Sequence, residues 1–173
     1  MTDQKSGTDK AAAQQGDAMQ RDGAPVLALE SFLPYRLNLV SETVSQAFAS
    51  LYETQFGIAR PEWRVIALLG QYGRLTAKTI GERSAMHKTK VSRAVASMEK
   101  RKLVIRTPNP DDMRESFVEL SPDGQSIYEA IVPQALAFTQ SLQDSLSAAQ
   151  RDVLEDMLER IMERVKTLRQ QGL

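Results

Sequence analysis

Lys88, Thr89, Lys90, Ser92 and Arg93 stand within six consecutive positions of this chain. Residues of these types do noncovalent chemistry. Ammonium and guanidinium groups pair with phosphate oxygens, and a guanidinium also donates two parallel N–H bonds to a guanine edge. Small Ser, Thr and Ala between the cations let a backbone approach a groove closely. Covalent chemistry has much less to work with. There is no cysteine, which excludes a thiol nucleophile, a Cys-ligated zinc, a thiol redox sensor and a disulfide framework. The single histidine, His87, excludes a multi-His metal site. A Ser-His-Asp arrangement would have to recruit that same His87, beside the basic run. No enzyme, cofactor or metal is expected.

The charge is local. The whole chain balances 22 basic against 22 acidic residues. Between Arg74 and Arg106, however, stand Arg74, Lys78, Arg83, Lys88, Lys90, Arg93, Lys100, Arg101, Lys102 and Arg106, opposed only by Glu82 and Glu99. That segment carries an excess of +8 and the remainder −8. Most charge runs are solvated helix faces. This one falls on two short helices joined by a tight turn and followed by a hairpin.

The elements that carry it can be read from periodicity and caps. From Glu30 and Pro34 a helix begins, with Leu37, Val40, Val44, Ala47, Phe48, Leu51 and Tyr52 on one face and Gly57 as its stop. Pro61 opens a second helix that ends at Gly73. Thr76 caps a short third helix, with Leu75 and Ile80 at the staple positions. His87 caps a fourth. Val91, Ala94, Val95 and Met98 form its buried stripe, and the cations lie away from it. Leu103–Arg106 and Ser116–Leu120 read as a β-hairpin around the turn-rich PNPDDMR. Ser121-Pro122 starts a long helix kinked at Pro133, and Ser147 with Gln150 forms a capping box for the last.

This order, two short helices and then a hairpin, is that of a helix-turn-helix with a wing. The second helix of such a unit enters the major groove. On that reading Arg74, Thr76, Lys78, Lys88, Thr89, Lys90, Ser92, Arg93 and Lys100 face double-stranded DNA. Arg114 at the hairpin tip enters the minor groove, with Asp112 orienting its guanidinium. The plainer alternative for the tip is a polar turn with an exposed ion pair.

The segments PEWRVIALL, LTAKTIGERSAMHKTKVSRAVASMEKRKLVIR and DMRESFVELSPDG resemble the MarR family of bacterial winged-helix regulators. Asp112 and Arg114 match its Asp-x-Arg wing tip. Leu120, Ser121 and Gly124 match its Leu-Thr-x-x-Gly. Lys102 departs from it, standing where the family usually has Gly after the recognition helix, so a strained turn is expected there. His87 departs too, where Ser or Asp is commoner.

The resemblance implies a mainly α fold with a small β-hairpin wing, a winged helix-turn-helix head on a helical dimerisation region. It implies one domain over 25–173; residues 1–24, without Leu, Ile, Val, Phe, Tyr or Trp, read from composition as a disordered tail. The head would span 57–120, with dimerisation helices over 29–56 and 121–173. It also implies a homodimer on a palindromic operator, most simply a repressor, and an effector of the phenolic, aromatic carboxylate or aryl-CoA kind. The matching pocket positions hold Tyr35, Arg36, Tyr52, Phe56, Trp63 and Arg64. Arginine beside aromatics suits an anionic aromatic ligand. The same aromatics on helical stripes also fit an ordinary core, and the arginines a solvated surface.

Independently of the resemblance, the last helix carries Val153, Leu154, Met157, Leu158, Ile161, Met162, Val165 and Leu168 on one stripe, more than one small chain covers. Packing on helix one and packing on a second copy are both expected. A competing reading is a sequence-tolerant nucleoid-coating protein, which the neutral total charge disfavours. The length of 173 residues with 42% apolar content suits one domain. No apolar run is long enough for a bilayer, and MTDQKSGTDK lacks the apolar stretch of a signal peptide, so a cytoplasmic protein without membrane contact is expected.

Overall fold

The computed structural model describes residues 20–21, 24–110, 112 and 114–172. Most of the tail expected to be disordered, 1–24, lies outside them. At its end a short ladder pairs β1 (Gln20–Arg21) with β2 (Ala24–Pro25). The chain forms two compact units, one up to Gln46 and one from Ala47 onward.

In the first unit, α1 (Leu33–Phe56) begins with Pro34 in its first turn, where a missing N–H costs nothing. Leu33, Leu37, Leu39 and Val40 are exposed there. The helix continues into the second unit and ends at Gly57, whose φ of 61° stops it.

The second unit holds the core. Ala49 and Tyr52 of α1 join Ile58, then Val65, Ile66 and Leu69 of α2 (Arg60–Tyr72). Ile80 comes from α3 (Ala77–Ser84), and Val91, Ala94, Val95 and Met98 from α4 (Lys88–Lys100). Full burial of one such aliphatic side chain contributes about 1.5–3 kcal/mol, so this cluster dominates the unit's stability. α2 packs against α3, α4 and α5 (Pro122–Gln143). Gly70 of α2 makes that last contact possible, because a Cβ there would meet the Tyr128 ring. α5 runs as one helix through Pro133.

The sheet differs from the expected hairpin in two ways. It has three strands, in the order β3 (Leu75–Thr76), β5 (Ser116–Leu120), β4 (Val104–Pro108). Leu75 pairs with Val118 and Thr76 with Phe117, so a strand immediately precedes α3. Two residues are too few for alternation to be read from sequence. The first wing strand also starts one residue later and ends two later than expected. Leu103 is occupied by the end of α4, its N–H donating to Met98 O at 2.9 Å. Pairing then extends to Pro108 opposite Ser116. Pro108 is tolerated because β4 is an edge strand.

α6 (Ala148–Gln170) follows the expected capping box. Ser147 N–H donates to Gln150 Oε1 at 2.8 Å, and Gln150 N–H to Ser147 Oγ at 3.3 Å. Yet α6 buries no residue. Val153, Leu154, Met157, Leu158, Met162 and Val165 are all exposed, with only Ile161 and Leu168 half-covered. The expected packing of this stripe within the chain therefore supplies very little of its cover. No helix among the described residues is long and apolar enough to cross a membrane.

Candidate nucleic-acid interface

The reading head is assembled by local caps. Thr76 Oγ1 accepts the Thr79 N–H at 3.2 Å and starts α3. Its hydroxyl also meets Thr79 Oγ1 at 3.1 Å, so Thr76 shapes the helix start. Ala85 turns the chain at φ 53°, and Met86 anchors the turn in the core. His87 Nδ1 accepts the Thr89 N–H at a long 3.4 Å, a weak cap as imidazole predicts.

On α4 one face is wholly buried and the other is cationic. Lys88, Thr89, Lys90, Ser92, Arg93 and Lys100 are all exposed, while Val91, Ala94, Val95 and Met98 are buried. Lys102 then adopts φ 60°. Its N–H donates to Glu99 O at 2.9 Å, and Ser121 Oγ donates to its carbonyl at 2.6 Å. The turn has the shape that Gly favours, and Lys102 carries the strain of it.

Not all ten cations of the basic segment are available to a ligand. Arg106 pairs with Glu99 at 3.0 Å. Arg74 stacks 4.5 Å over the Phe117 ring, and Arg83 4.2 Å over Tyr72. Arg101 donates to Gly57 O, Phe56 O and Glu62. Six cations, Lys78, Lys88, Lys90, Arg93, Lys100 and Lys102, have neither a carboxylate nor an aromatic partner among the described residues.

Lys78, Lys88 and Arg114 converge on one cleft of about 750 Å³ between the two helices and the wing. Ala77, Met86 and Val118 line it alongside them. His87 and Arg106 also stand there, and Glu82 and Glu115 temper the positive rim. Arg106 was not singled out from sequence as a site residue. Its outward place on an edge strand was the available signal.

Asp112 acts differently from the expectation. Its Oδ1 accepts the backbone N–H of Arg114 at 2.9 Å, and its carbonyl accepts the Glu115 N–H at 2.9 Å. The carboxylate thus shapes the wing tip and does not hold the Arg114 guanidinium. A side chain two residues upstream closes such a turn more readily than it reaches a long side chain's end.

The aromatic positions assemble as a packed cluster. Phe48 lies 5.2 Å from Tyr52, 5.7 Å from Trp63 and 5.3 Å from Phe138, and Tyr52 lies 5.6 Å from Trp63. Phe48 and Phe138 complete a group that contains Tyr52 and Trp63 of the expected pocket positions; Phe56 makes no ring contact with it among the described residues. Phe56 and Arg64 are half-buried. Burial pushes the Tyr52 phenol up to about 12, with Glu53 adding to the rise and Arg60 and Arg64 opposing it. Tyr35 and Arg36 lie in the first unit and are exposed. Among the described residues no group of His, Cys, Asp or Glu is arranged to hold a metal.

A cationic helix set on a capped helix pair, beside a three-stranded wing, defines a winged helix-turn-helix protein. Residues 56–115 match the model of the MarR family. The chain is 24% identical to the HTH-type transcriptional regulator FarR of Neisseria gonorrhoeae, over 60% of this chain and 71% of that one. The fold is shared with a MarR/EmrR family regulator from Acinetobacter sp. ADP1 at a TM-score of 0.74, with 23% identity, covering 82% of this chain and 99% of that one. It is shared with NadR in complex with 4-hydroxyphenylacetate at 0.67, with 22% identity over 80% and 97%. A MarR family regulator from Listeria monocytogenes complexed with 26mer DNA gives 0.70, with 14% identity over 78% and 89%. Residues 56–115 thus carry a MarR-type segment, and the chain has the winged helix-turn-helix fold of the transcriptional regulators it is similar to.

Proposed function

We propose that this chain is a MarR-family transcriptional repressor that binds a palindromic operator as a homodimer and leaves it when an anionic aromatic acid or its thioester binds. The observation that carries the DNA reading is the division of α4 into a buried apolar face and an exposed cationic one, beside a cleft where Lys78, Lys88 and Arg114 meet. Residues 57–120 serve as the head. Lys88, Thr89, Lys90, Ser92 and Arg93 face the major groove, Lys100 faces phosphate, and Arg114 faces the minor groove. The bare apolar stripe of α6 supports pairing of two copies through 29–56 and 121–173. A two-fold dimer spaces its recognition helices by about 34 Å, one DNA turn.

For the effector, the support is the Arg64 side chain close enough to act electrostatically on Tyr52, beside Trp63, together with the phenolic acid bound to NadR. A ligand releases DNA only by preferring the head arrangement that fits DNA worse. Operator DNA then weakens the ligand's binding by the same factor.

The test is titration of the protein with the duplex it selects from a random library, and with a scrambled duplex of equal length. Arg93→Ala is expected to cost about 1–3 kcal/mol on the selected duplex and much less on the scrambled one. Equal affinity of the wild-type chain for both would return the protein to the sequence-tolerant class. Trp63 is the only tryptophan, so its emission reports the effector directly. A panel of aromatic acids and aryl-CoA thioesters that neither changes that emission nor releases the duplex removes the effector from the proposal.

A further inference from the structure

We propose that Arg101 is a positioning residue, not a DNA contact: it locks the end of the recognition helix α4 to the last turn of α1 and so sets the pose in which the head meets DNA. Arg101 is the first residue beyond α4, in the middle of the run Lys100-Arg101-Lys102. Both neighbours are exposed and without a carboxylate partner among the described residues. Arg101 is exposed as well, at 36% of its side chain, but its guanidinium is turned onto the end of α1. Its Nη1 donates to Gly57 O at 2.9 Å and to Glu62 Oε2 at 3.3 Å, and its Nη2 donates to Phe56 O at 2.9 Å.

Each acceptor explains why a guanidinium stands here. The Phe56 and Gly57 carbonyls close α1, where helix carbonyls lack intrahelical donors and the dipole is negative. Glu62 belongs to the first turn of α2, and its side chain is only 7% exposed. The same Oε2 accepts the Ala59 N–H at 2.8 Å. One planar group therefore ties together the end of α1, the start of α2 and the end of α4. Gly57, at φ 61°, is the joint between the first two. A lysine could match the charge but not the fork, since it is a point charge without two parallel donors. Without Arg101, Glu62 would remain a buried carboxylate facing two bare carbonyls across that joint. The end of the recognition helix would then lose this hydrogen-bonded tie to the end of α1.

The consequence rests on the dimeric operator reading above. Two heads held rigidly against their α1 helices fit two half-sites at one spacing, whereas a single half-site does not sense the spacing. The probes are the duplex selected by the wild-type chain, the same duplex with one half-site scrambled, and versions with one base pair inserted or removed between the half-sites. Arg101→Gln is expected to lower affinity for the intact duplex about ten-fold, as the loss of charge-assisted bonds implies. Its affinity for the single half-site and its salt slope should stay at wild-type values, and its discrimination against altered spacing should shrink. Arg101→Lys should fail to restore the loss, which separates the fork from a bare charge, while the unchanged single half-site affinity guards against misreading a folding defect in Arg101→Gln. Adding Glu62→Gln to Arg101→Gln should cost nothing further.

Equal losses on one and two half-sites, with a salt slope reduced by about one and rescue by lysine, would make Arg101 a phosphate contact. Unchanged binding would leave it without a role. Either outcome overturns the proposal and leaves the dimer standing. A wild-type chain that binds two half-sites no better than one overturns the dimeric reading and this proposal together.

Discussion

The head and α6 are both helical, amphipathic and well capped, yet they are stabilised differently. In the head the apolar stripes of α3, α4 and β5 are covered: Ile80 of α3, Val91 and Val95 of α4 and Val118 of β5 are at most 1% exposed. In α6 a longer apolar stripe and a complete capping box bury nothing. Caps and propensity set where a helix begins and ends, but they contribute only fractions of the free energy that burial supplies. The head is therefore complete within one chain. α6 presents a bare apolar area, the one assigned above to the proposed second copy.

The largest break of this contrast is expected at Gly124. A Cβ there would run into the Leu103 carbonyl, where the wing and α5 meet. Gly124→Ala should destabilise the head by about 3 kcal/mol or more, because backbone on both sides must shift. Urea unfolding followed by circular dichroism reads it, and the loss should not depend on protein concentration.

Leu158→Ala on α6 should behave in the opposite way. Its side chain is exposed in the single chain, so its cost should appear as weaker association, about 1–2 kcal/mol of dimer stability. Sedimentation across a concentration series checks this. A concentration-independent loss would mean that the stripe packs within one chain.

A gain is expected at Lys102→Gly. Relieving a left-handed lysine should stabilise the head by about 1 kcal/mol, visible as a raised unfolding midpoint. No gain would mean that the Ser121 bond to its carbonyl already offsets the strain.

The smallest effect at neutral pH belongs to Tyr52. Its folded pKa is raised from 10 to about 12, so its contribution is intact below pH 10 and fades as pH rises toward 12. The unfolded phenol ionises in that window while the folded one resists. Tyr52→Phe should flatten the fall in stability between pH 10 and 12 relative to the wild-type chain, as measured by urea midpoints.

What could be read from the sequence follows how far apart the interacting groups lie. The caps at Thr76, Ser121 and Ser147 were legible because donor and acceptor are three residues apart. The buried stripe of α4 was legible because helical periodicity repeats within a dozen residues. The left-handed turn at Lys102 was anticipated from the glycine that the resemblance places there.

Other features needed the folded chain. β3 exists because Leu75 and Thr76 meet β5 across a long stretch of sequence, and two residues carry no pattern of their own. Asp112 looked like a partner for a guanidinium until backbone geometry offered it a nearer N–H. Sequence counting added Arg101 to a basic patch. Folding brought it to carbonyls 44 and 45 residues away and to a buried carboxylate. Charge is a property of the residue and survives into any count. Whether a charge faces solvent, a phosphate or another helix's end depends on neighbours that only tertiary packing supplies.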